Sequence, residues 1–293
     1  MGWGNNTRTF KIPLLLYKYF TPERSSFPKE LLVRFTQPGL FNDPFDSLPI
    51  YEGYDIKSIE EQVNRVGMDL ASNIAGANIS EHEKQIRLQL IKPANDLLIK
   101  AYSSDPSKMD GLFQQLHRKR LNSDIGMFCL SENPKSILMW SHYSDEHKGF
   151  VVGFDSGDNF FQHDPDEPED IGSLRRVDYV KNRPRIDIPK IRKQKTSPDI
   201  FFTKNCEWSY EREWRIIRFL KHANEMRPPS AHLFKVPPTA IKEIIFGCNT
   251  PPNIVGAIID SLKVNSNLNH VKLFAATLSL KRYEMDISQY IAP

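Results

Sequence analysis

Two short apolar runs, Gly126-Met127-Phe128-Cys129-Leu130-Ser131 and Phe150-Val151-Val152-Gly153-Phe154-Asp155, bracket a polar stretch that starts at Met139, and this constrains the fold more than any other feature. Each run is too short for a core helix and is closed by a polar residue, so each reads as a buried strand. Between them stand Trp140, His142, Tyr143, Asp145, Glu146 and His147, which sets polar chemistry down between two core strands. For any one of these residues a connection satisfied by backbone groups is the commoner explanation; their concentration is what argues for a site.

Strand-like runs recur near residues 31, 174, 214, 232, 242 and 271, at separations unlike a regular βαβ alternation. The expectation is a single α+β domain over residues 1–293, with a mostly antiparallel, split β-sheet as its core. Pro13 to Phe20, closed by Thr21-Pro22, suits a strand or a buried entry segment. From about 55 to 120 the texture turns helical, with one stripe at Ile59, Val63, Val66 and Leu70 and another at Ile86, Leu90, Leu97 and Leu98. Ser80 with Glu83 forms a capping box, and Pro93 predicts a kink or a break. Without a chemical constellation of its own, this stretch reads as a helical insertion, either a cap over the sheet or a plain bundle. A helix with Pro near its start is expected over 251–262.

The 293 residues, 40% of them apolar, suffice for a sizeable core, and the net charge of +3 is too small to imply nucleic-acid binding without help from its distribution. That distribution is uneven. An acidic run at 163–170 precedes a segment from Arg175 to Lys195 holding nine Lys or Arg against two Asp, with Pro184, Pro189 and Pro198 nearby. It reads as an extended, mobile acidic and basic loop over about 160–200. Such a loop is either a solvated surface or a phosphate grip, for which Arg183, Arg185, Lys190, Arg192 and Lys193 are the candidate nucleic-acid contacts. Cys129, Cys206 and Cys248 lack paired spacing, which argues for a reducing cytoplasm and against a cysteine zinc site. No apolar run approaches the roughly 20 residues of a membrane span, so no membrane partner is expected.

Lys204 to Ile217 holds a second concentration of chemistry. Read as a strand, it puts Glu211, Glu213 and Arg215 on one face and Tyr210, Arg212, Trp214 and Ile216 on the other. A carboxylate at the start of a buried strand can orient a ribose hydroxyl or stabilise a cationic transition state; the structural alternative is an ion pair with Arg212 or Arg215. Glu213 is preferred to Glu211 because it lies nearer the buried part of the strand, and its replacement by Gln is expected to leave the melting temperature almost unchanged. Upstream, Arg34 either snorkels outward from its strand or points into a cleft holding an anion. Pro38 to Asp46 is turn-rich and reads as structural, with Asn42 and Asp43 folding the turn and Phe41 and Phe45 anchoring it.

Leu16 to Tyr19, Phe41-Asn42-Asp43-Pro44-Phe45-Asp46, Phe128 to Ser131, Met139 to Tyr143 with His147 and Gly149, and Trp208 to Arg215 follow in that order. Together they resemble the bacterial domain of unknown function 2971 family, over about residues 14–250, a name that carries no activity. More distantly the order of elements resembles ADP-ribosyltransferase-like domains: an early strand with a polar residue, a middle strand ending in Ser, Thr or Tyr, and a late strand with a Glu. Here Tyr17, Tyr19 or Arg34 would be the first, Ser131 with Tyr143 the second, and Glu211 or Glu213 the third; neither a His-Tyr-Glu nor an Arg-Ser-Glu set stands at characteristic spacing.

That resemblance implies NAD as a substrate and no metal, with Glu213, His142, Tyr143 and Glu211 as catalytic candidates and Tyr17, Tyr19, Arg34, Ser131 and Trp140 holding the nucleotide. It further implies an effector that transfers ADP-ribose to a macromolecule, protein, RNA or DNA, as a toxin or phage-defence protein with an antitoxin or immunity partner. Ser131, Trp140, His142, Tyr143 and Glu213 are expected to converge on one cleft. Two other classes stay open: a binding module without chemistry, and a metal-dependent nuclease using His142, His147 and some of Asp43, Asp46, Asp145 and Glu213. The five-residue step from His142 to His147 departs from the four that puts two ligands on one helical face, and the G-x-S-x-G elbow of a serine hydrolase is absent.

Overall fold

The structure, a computed structural model, describes residues 11–53, 55–105, 109–162, 172–188 and 198–291. Its strands are β1 (Leu15–Phe20), β2 (Leu32–Phe35), β3 (Ile50–Glu52), β4 (Ile125–Ser131), β5 (Phe150–Asp155), β6 (Arg175–Arg176), β7 (Asp178–Val180) and β8 (Arg185–Asp187). They continue with β9 (Thr203–Asn205), β10 (Glu213–Phe219), β11 (Glu225–Arg227), β12 (Ala231–Lys235), β13 (Ile241–Phe246), β14 (Lys272–Leu278) and β15 (Met285–Gln289). The helices are α1 (Phe27–Glu30), α2 (Ile56–Ala75), α3 (Glu81–Ser104), α4 (Met109–Asp124), α5 (Ile137–Tyr143) and α6 (Pro252–Val264). The protein is α+β. Among the described residues no helix is long and apolar enough to cross a membrane. Two compact units form: one from Met1–Asp46, Leu121–Lys181 and Phe201–Pro293, the other from Ser47–Arg120 and Asn182–Ile200.

The first unit is organised by an eight-stranded sheet in the order β15-β14-β13-β5-β1-β4-β10-β6. Only β13 and β14 pair in parallel within it. β4 and β5 are almost wholly apolar because both of their faces are covered, whereas β1 and β10 carry Lys18, Glu213, Arg215 and Arg218. Along β5, Phe150, Val152 and Phe154 enter one core with Leu16, Phe20, Ile244 and Ile258, while Val151 enters a second core with Tyr19, Trp140 and Ile245. Period-two alternation thus feeds two separate cores. The runs near 31 and 232 leave the main sheet and pair in a three-stranded one, β11-β12-β2. In their place β1, the ambiguous entry segment, takes a central position.

The sheet is split between β1 and β4. β1 pairs with β5 over six consecutive residues, and β4 pairs with β10 over seven, but β1 meets β4 at the single pair Tyr17↔Ser131. Continued pairing would set Tyr19 against Cys129. Instead the Lys18 ammonium donates across the gap to the Cys129 carbonyl at 3.0 Å, and Thr36, just beyond β2, forms a two-bond bridge with Met127. Strand edges carry obligatory hydrogen-bonding groups, and here a lysine and a bridge from another strand satisfy the edge that β1 abandons.

The second unit contains α2, α3, most of α4 and the parallel pair β3–β8. Asp55 caps α2 by accepting from the Ser58 amide at 2.6 Å, and Ser80 caps α3 by accepting from the Glu83 amide at 3.2 Å. At Gly67 the helices approach so closely that a Cβ would lie 2.4 Å from the Asn95 Nδ2. α3 runs through Pro93 without the break its sequence predicts, since proline removes one backbone donor while the flanking turns keep theirs. Its apolar stripe is not a core seam: Ile86, Leu90, Leu97 and Leu98 are exposed, as is Leu70 of α2.

Candidate active site

The fork between β1 and β4 opens into a cavity of about 290 Å³. Tyr17, Lys18 and Tyr19 line it from β1, Met127, Cys129, Leu130 and Ser131 from β4, Met139 and Tyr143 from α5, and Phe41 and Asn42 from the turn after β2. Lys204, Glu211, Glu213 and Arg215 complete its wall. Helical phase decides which residues of α5 take part. Met139 and Tyr143, four apart, share the cavity face. Trp140 points into the core, wholly buried, with its indole N–H on the Pro134 carbonyl at 2.8 Å and its ring edge-on to Tyr19. His142 is exposed, and its one hydrogen-bond partner among the described residues is Tyr210, at 3.3 Å.

Glu211 and Glu213 do not share a strand. Residues 206–211 form a turn of 3-10 helix, Arg212 takes a left-handed conformation (φ 44°), and β10 starts only at Glu213. This break turns the Glu211 carboxylate back toward the cavity. One of its oxygens accepts from the Tyr143 hydroxyl at 2.5 Å and the other from the Lys204 ammonium at 2.5 Å. Tyr143 in turn accepts from the Asn42 amide at 2.8 Å. Burial and the neighbouring Glu213 charge push the Glu211 carboxyl above the usual carboxylate range, against the pull of Lys204 and Tyr143. The Tyr143 phenol is also pushed up, by burial and by Glu211, so it remains a donor.

Glu213 is in a different state. Its carboxylate accepts from Arg215 Nε at 2.6 Å and Nη2 at 3.0 Å, and from Lys204 at 3.2 Å. Burial opposes its ionisation, but the Arg215 and Lys204 charges prevail and hold it well below the usual range. Arg215 is itself fully buried and spends its remaining donors on both oxygens of Asp46, at 2.8 and 2.5 Å, and on the Phe201 carbonyl at 2.7 Å. A bidentate pair on each side leaves that guanidinium no freedom to meet a ligand. Two carboxylates a few residues apart, one locked ionised and one displaced toward protonation, form the pattern by which acid–base roles are separated.

The Phe41–Asp46 turn, read from sequence as structural, therefore supplies the site with three side chains: Phe41 and Asn42 at the cavity and Asp46 on Arg215. Ser131 lines the cavity, yet its hydroxyl is engaged, donating to the Glu211 carbonyl at 2.6 Å and accepting from the Asn133 amide at 3.1 Å. Tyr17 and Tyr19 line it too. Tyr19 donates to the Asn133 carbonyl at 2.6 Å, and Tyr17 bonds the Glu243 carboxyl. Arg34 does not reach it: the side chain is exposed on β2, in register with Leu233 of β12. Lys204, absent from the candidates drawn from sequence, joins the two glutamates. A lysine seven and nine residues before two acids carries no periodic signal; its role arises from the β9-to-β10 turn.

Of the basic candidates, Lys190, Arg192 and Lys193 lie outside the described residues. Arg183 donates to the Leu48 and Pro49 carbonyls at 2.8 and 3.0 Å, and Arg185 pairs with Glu52. Among the described residues no group of three or more His, Cys, Asp and Glu side chains is placed to hold a metal ion; Asp46 and Glu213 are both bound to Arg215.

A family model spans the heart of this site. Residues 139–216 match Protein of unknown function (DUF2971). The DUF2971 segment contains Tyr143, Lys204, Glu211, Glu213 and Arg215, while Asp46, Asn42 and both walls of the fork come from outside it. The resemblance read from the ordered motifs thus stands over residues 139–216, which hold Glu211 and Glu213. No curated protein and no solved structure is significantly similar to the chain.

Proposed function

We propose that the protein is an enzyme of ribosyl transfer, ADP-ribosyltransferase-like, which cleaves the bond between ribose C1′ and the nicotinamide nitrogen of NAD and passes ADP-ribose to a macromolecular nucleophile. The observation that carries this reading is Glu211: a carboxyl held by Tyr143 and Lys204 at the wall of a cavity lined with aromatic rings, with a pKa displaced upward. As the C1′–N bond breaks, its electron pair leaves with neutral nicotinamide and C1′ becomes cationic. Glu211, at the cavity wall, would set its negative charge beside that cation when ionised. The hydroxyl or amine that attacks C1′ gives its proton to Glu211, whose raised affinity for protons suits a base near neutral pH. Tyr17, Tyr19, Phe41 and Tyr143 offer flat surfaces to a planar ring.

The macromolecular half rests on the nine-to-two charge imbalance between Arg175 and Lys195, which favours a phosphate-bearing target. Incubating the protein with NAD labelled in its adenylate portion and with protein, RNA or DNA fractions tests both halves. Label transferred to a fraction, and lost in Glu211→Gln, supports the reading. Absence of nicotinamide release with every fraction would refute it and leave the binding module.

A further inference from the structure

Three consecutive residues beyond α5, Asp145, Glu146 and His147, hold left-handed backbone (φ 45°, 53° and 69°), and none of them is glycine. Single residues visit this region at a cost; runs of side-chain-bearing residues avoid it. The turn caps α5. Its Glu146 amide donates to the Ser141 carbonyl at 3.3 Å and its His147 amide to that of Trp140 at 3.2 Å, which satisfies carbonyls the helix end leaves open. A glycine would form such a cap with less strain. The strained form is held by the turn after β13. There Asn249 donates its backbone amide to the His147 carbonyl at 3.1 Å and its side-chain amide to the Glu146 carbonyl at 3.2 Å. Gly247 packs so closely that a Cβ would lie 2.1 Å from the His147 carbonyl oxygen. Tyr143, which bonds Glu211, is the last residue of the helix this turn caps.

Asp145 and Glu146 are exposed, whereas His147 is half-buried. Its ring lies parallel to that of Trp140, centroids 6.2 Å apart, and its Nε2 bonds the Ser141 hydroxyl at 3.2 Å. Nδ1 is buried and has no hydrogen-bond partner among the described residues. An imidazolium carries N–H on both nitrogens, so charging His147 sets a donor at Nδ1 where no acceptor waits. From α5 it meets Trp140 and Ser141, while His142 bonds Tyr210; from the turn after β13 come Gly247 and Asn249, with Cys248 exposed beside them. The charged neighbours belong to its own turn: Asp145 and Glu146, both engaged by Lys148 at 3.6 and 3.1 Å. Burial holds the imidazole below its ordinary pKa.

We propose that the turn is a proton-operated clamp on Tyr143: with His147 neutral it holds the end of α5 so that the Tyr143 hydroxyl meets Glu211, and protonation of His147 opens it. Strained backbone persists where surrounding contacts over-determine it, and a charge placed among those contacts weakens them. A group whose folded pKa is depressed contributes stability that is complete above its ordinary value, about 6.5 for imidazole, and is lost as pH falls below it. Opening is therefore a response to acid. Its consequence for turnover rests on the ribosyl-transfer reading; the opening itself does not.

Hydrogen exchange of the full chain at about pH 7.5 and about pH 5, corrected for the intrinsic pH dependence and read by mass spectrometry, tests the clamp without any ligand. Peptides covering residues 137–149 should lose protection in acid by roughly tenfold, while those over β5 keep theirs. In His147→Asn, which tolerates left-handed backbone and stays neutral, that loss should vanish. Glu146→Gly leaves His147 in place and relieves one strained residue, so it should move the opening to lower pH. In a chain labelled with 3-fluorotyrosine, the fluorine signal missing from Tyr143→Phe should shift over the same pH range. Equal protection at both pH values, an acid loss that persists in His147→Asn, a parallel loss throughout the chain, or a Tyr143 signal that stays put would overturn the proposal. If His147→Asn does not fold, an opening that Glu146→Gly leaves at the same pH does so. The two proposals fail separately. Acid opening without nicotinamide release from NAD keeps the clamp and discards the reaction, and release by a chain whose clamp never opens does the reverse.

Discussion

Replacing Glu213 by Gln should unfold the protein at a clearly lower temperature, whereas replacing Glu211 by Gln should not. Glu213 is 4% exposed and accepts three hydrogen bonds from two buried cations. A carboxamide offers one acceptor oxygen, and its NH2 must face an Arg215 or Lys204 donor. Breaking a buried ion pair from one side costs about 3–5 kcal/mol. Because Arg215 keeps Asp46 and Lys204 keeps Glu211, the low end, about 3 kcal/mol, applies, which at roughly 2–4 °C per kcal/mol lowers Tm by about 6–12 °C. Glu211, by contrast, is already displaced toward its neutral form, so an amide there replaces a charge that burial penalises, and the change should stay within about 1 kcal/mol. Thermal and urea unfolding of both variants at pH 7, followed by circular dichroism, compares them directly. Equal shifts, or a Glu213 variant within 1 °C (about 0.3 kcal/mol) of the parent, would refute the assignment of Glu213 as anchor.

Three further outcomes follow from the same geometry. Tyr143→Phe removes a donor that lowers the Glu211 pKa, so the acid limb of the pH–rate profile for nicotinamide release should move to higher pH, with kcat down roughly 10- to 100-fold. Glu213, whose folded pKa is depressed, contributes stability that is complete above the ordinary carboxylate pKa of about 4.3 and is lost as pH falls toward the folded value; urea midpoints between pH 3 and 7 should show an acid decline that Glu213→Gln flattens. Gly247→Ala and Gly149→Ala place a Cβ 2.1 Å from the His147 carbonyl oxygen and 2.0 Å from that of Phe20, backbone atoms that cannot move aside, so each should destabilise by about 3 kcal/mol or more, read as lost Tm or lost soluble protein.

The strands were legible where both faces are buried, because β4 and β5 then read as nearly unbroken apolar runs, and β10 and β13 keep the apolar pieces Ile216-Ile217 and Ile244-Ile245-Phe246 beside their charged residues. β1 was less so: its Tyr17, Lys18 and Tyr19 face a cavity, which dilutes the apolar signal of a central strand. The site was half legible. Tyr143 and the two glutamates stand out by composition, but sorting α5 by its 3.6-residue period would have paired Tyr143 with Met139 and set His142 aside. Which glutamate is locked in ion pairs and which is displaced toward its neutral form could not be read, since this depends on the left-handed Arg212 and on Asp46, 169 residues away from Arg215. A strand pattern puts Glu211 and Glu213 in equivalent places; a turn separates them.

The most direct measurement is the rate of nicotinamide release from NAD by the full chain and by Glu211→Gln, with the melting temperature of each recorded alongside. Release by the parent, and a fall of about 100-fold or more in a variant that melts at nearly the same temperature, is the predicted result. Release that survives in Glu211→Gln, or a parent that leaves NAD intact with every target fraction, would contradict it.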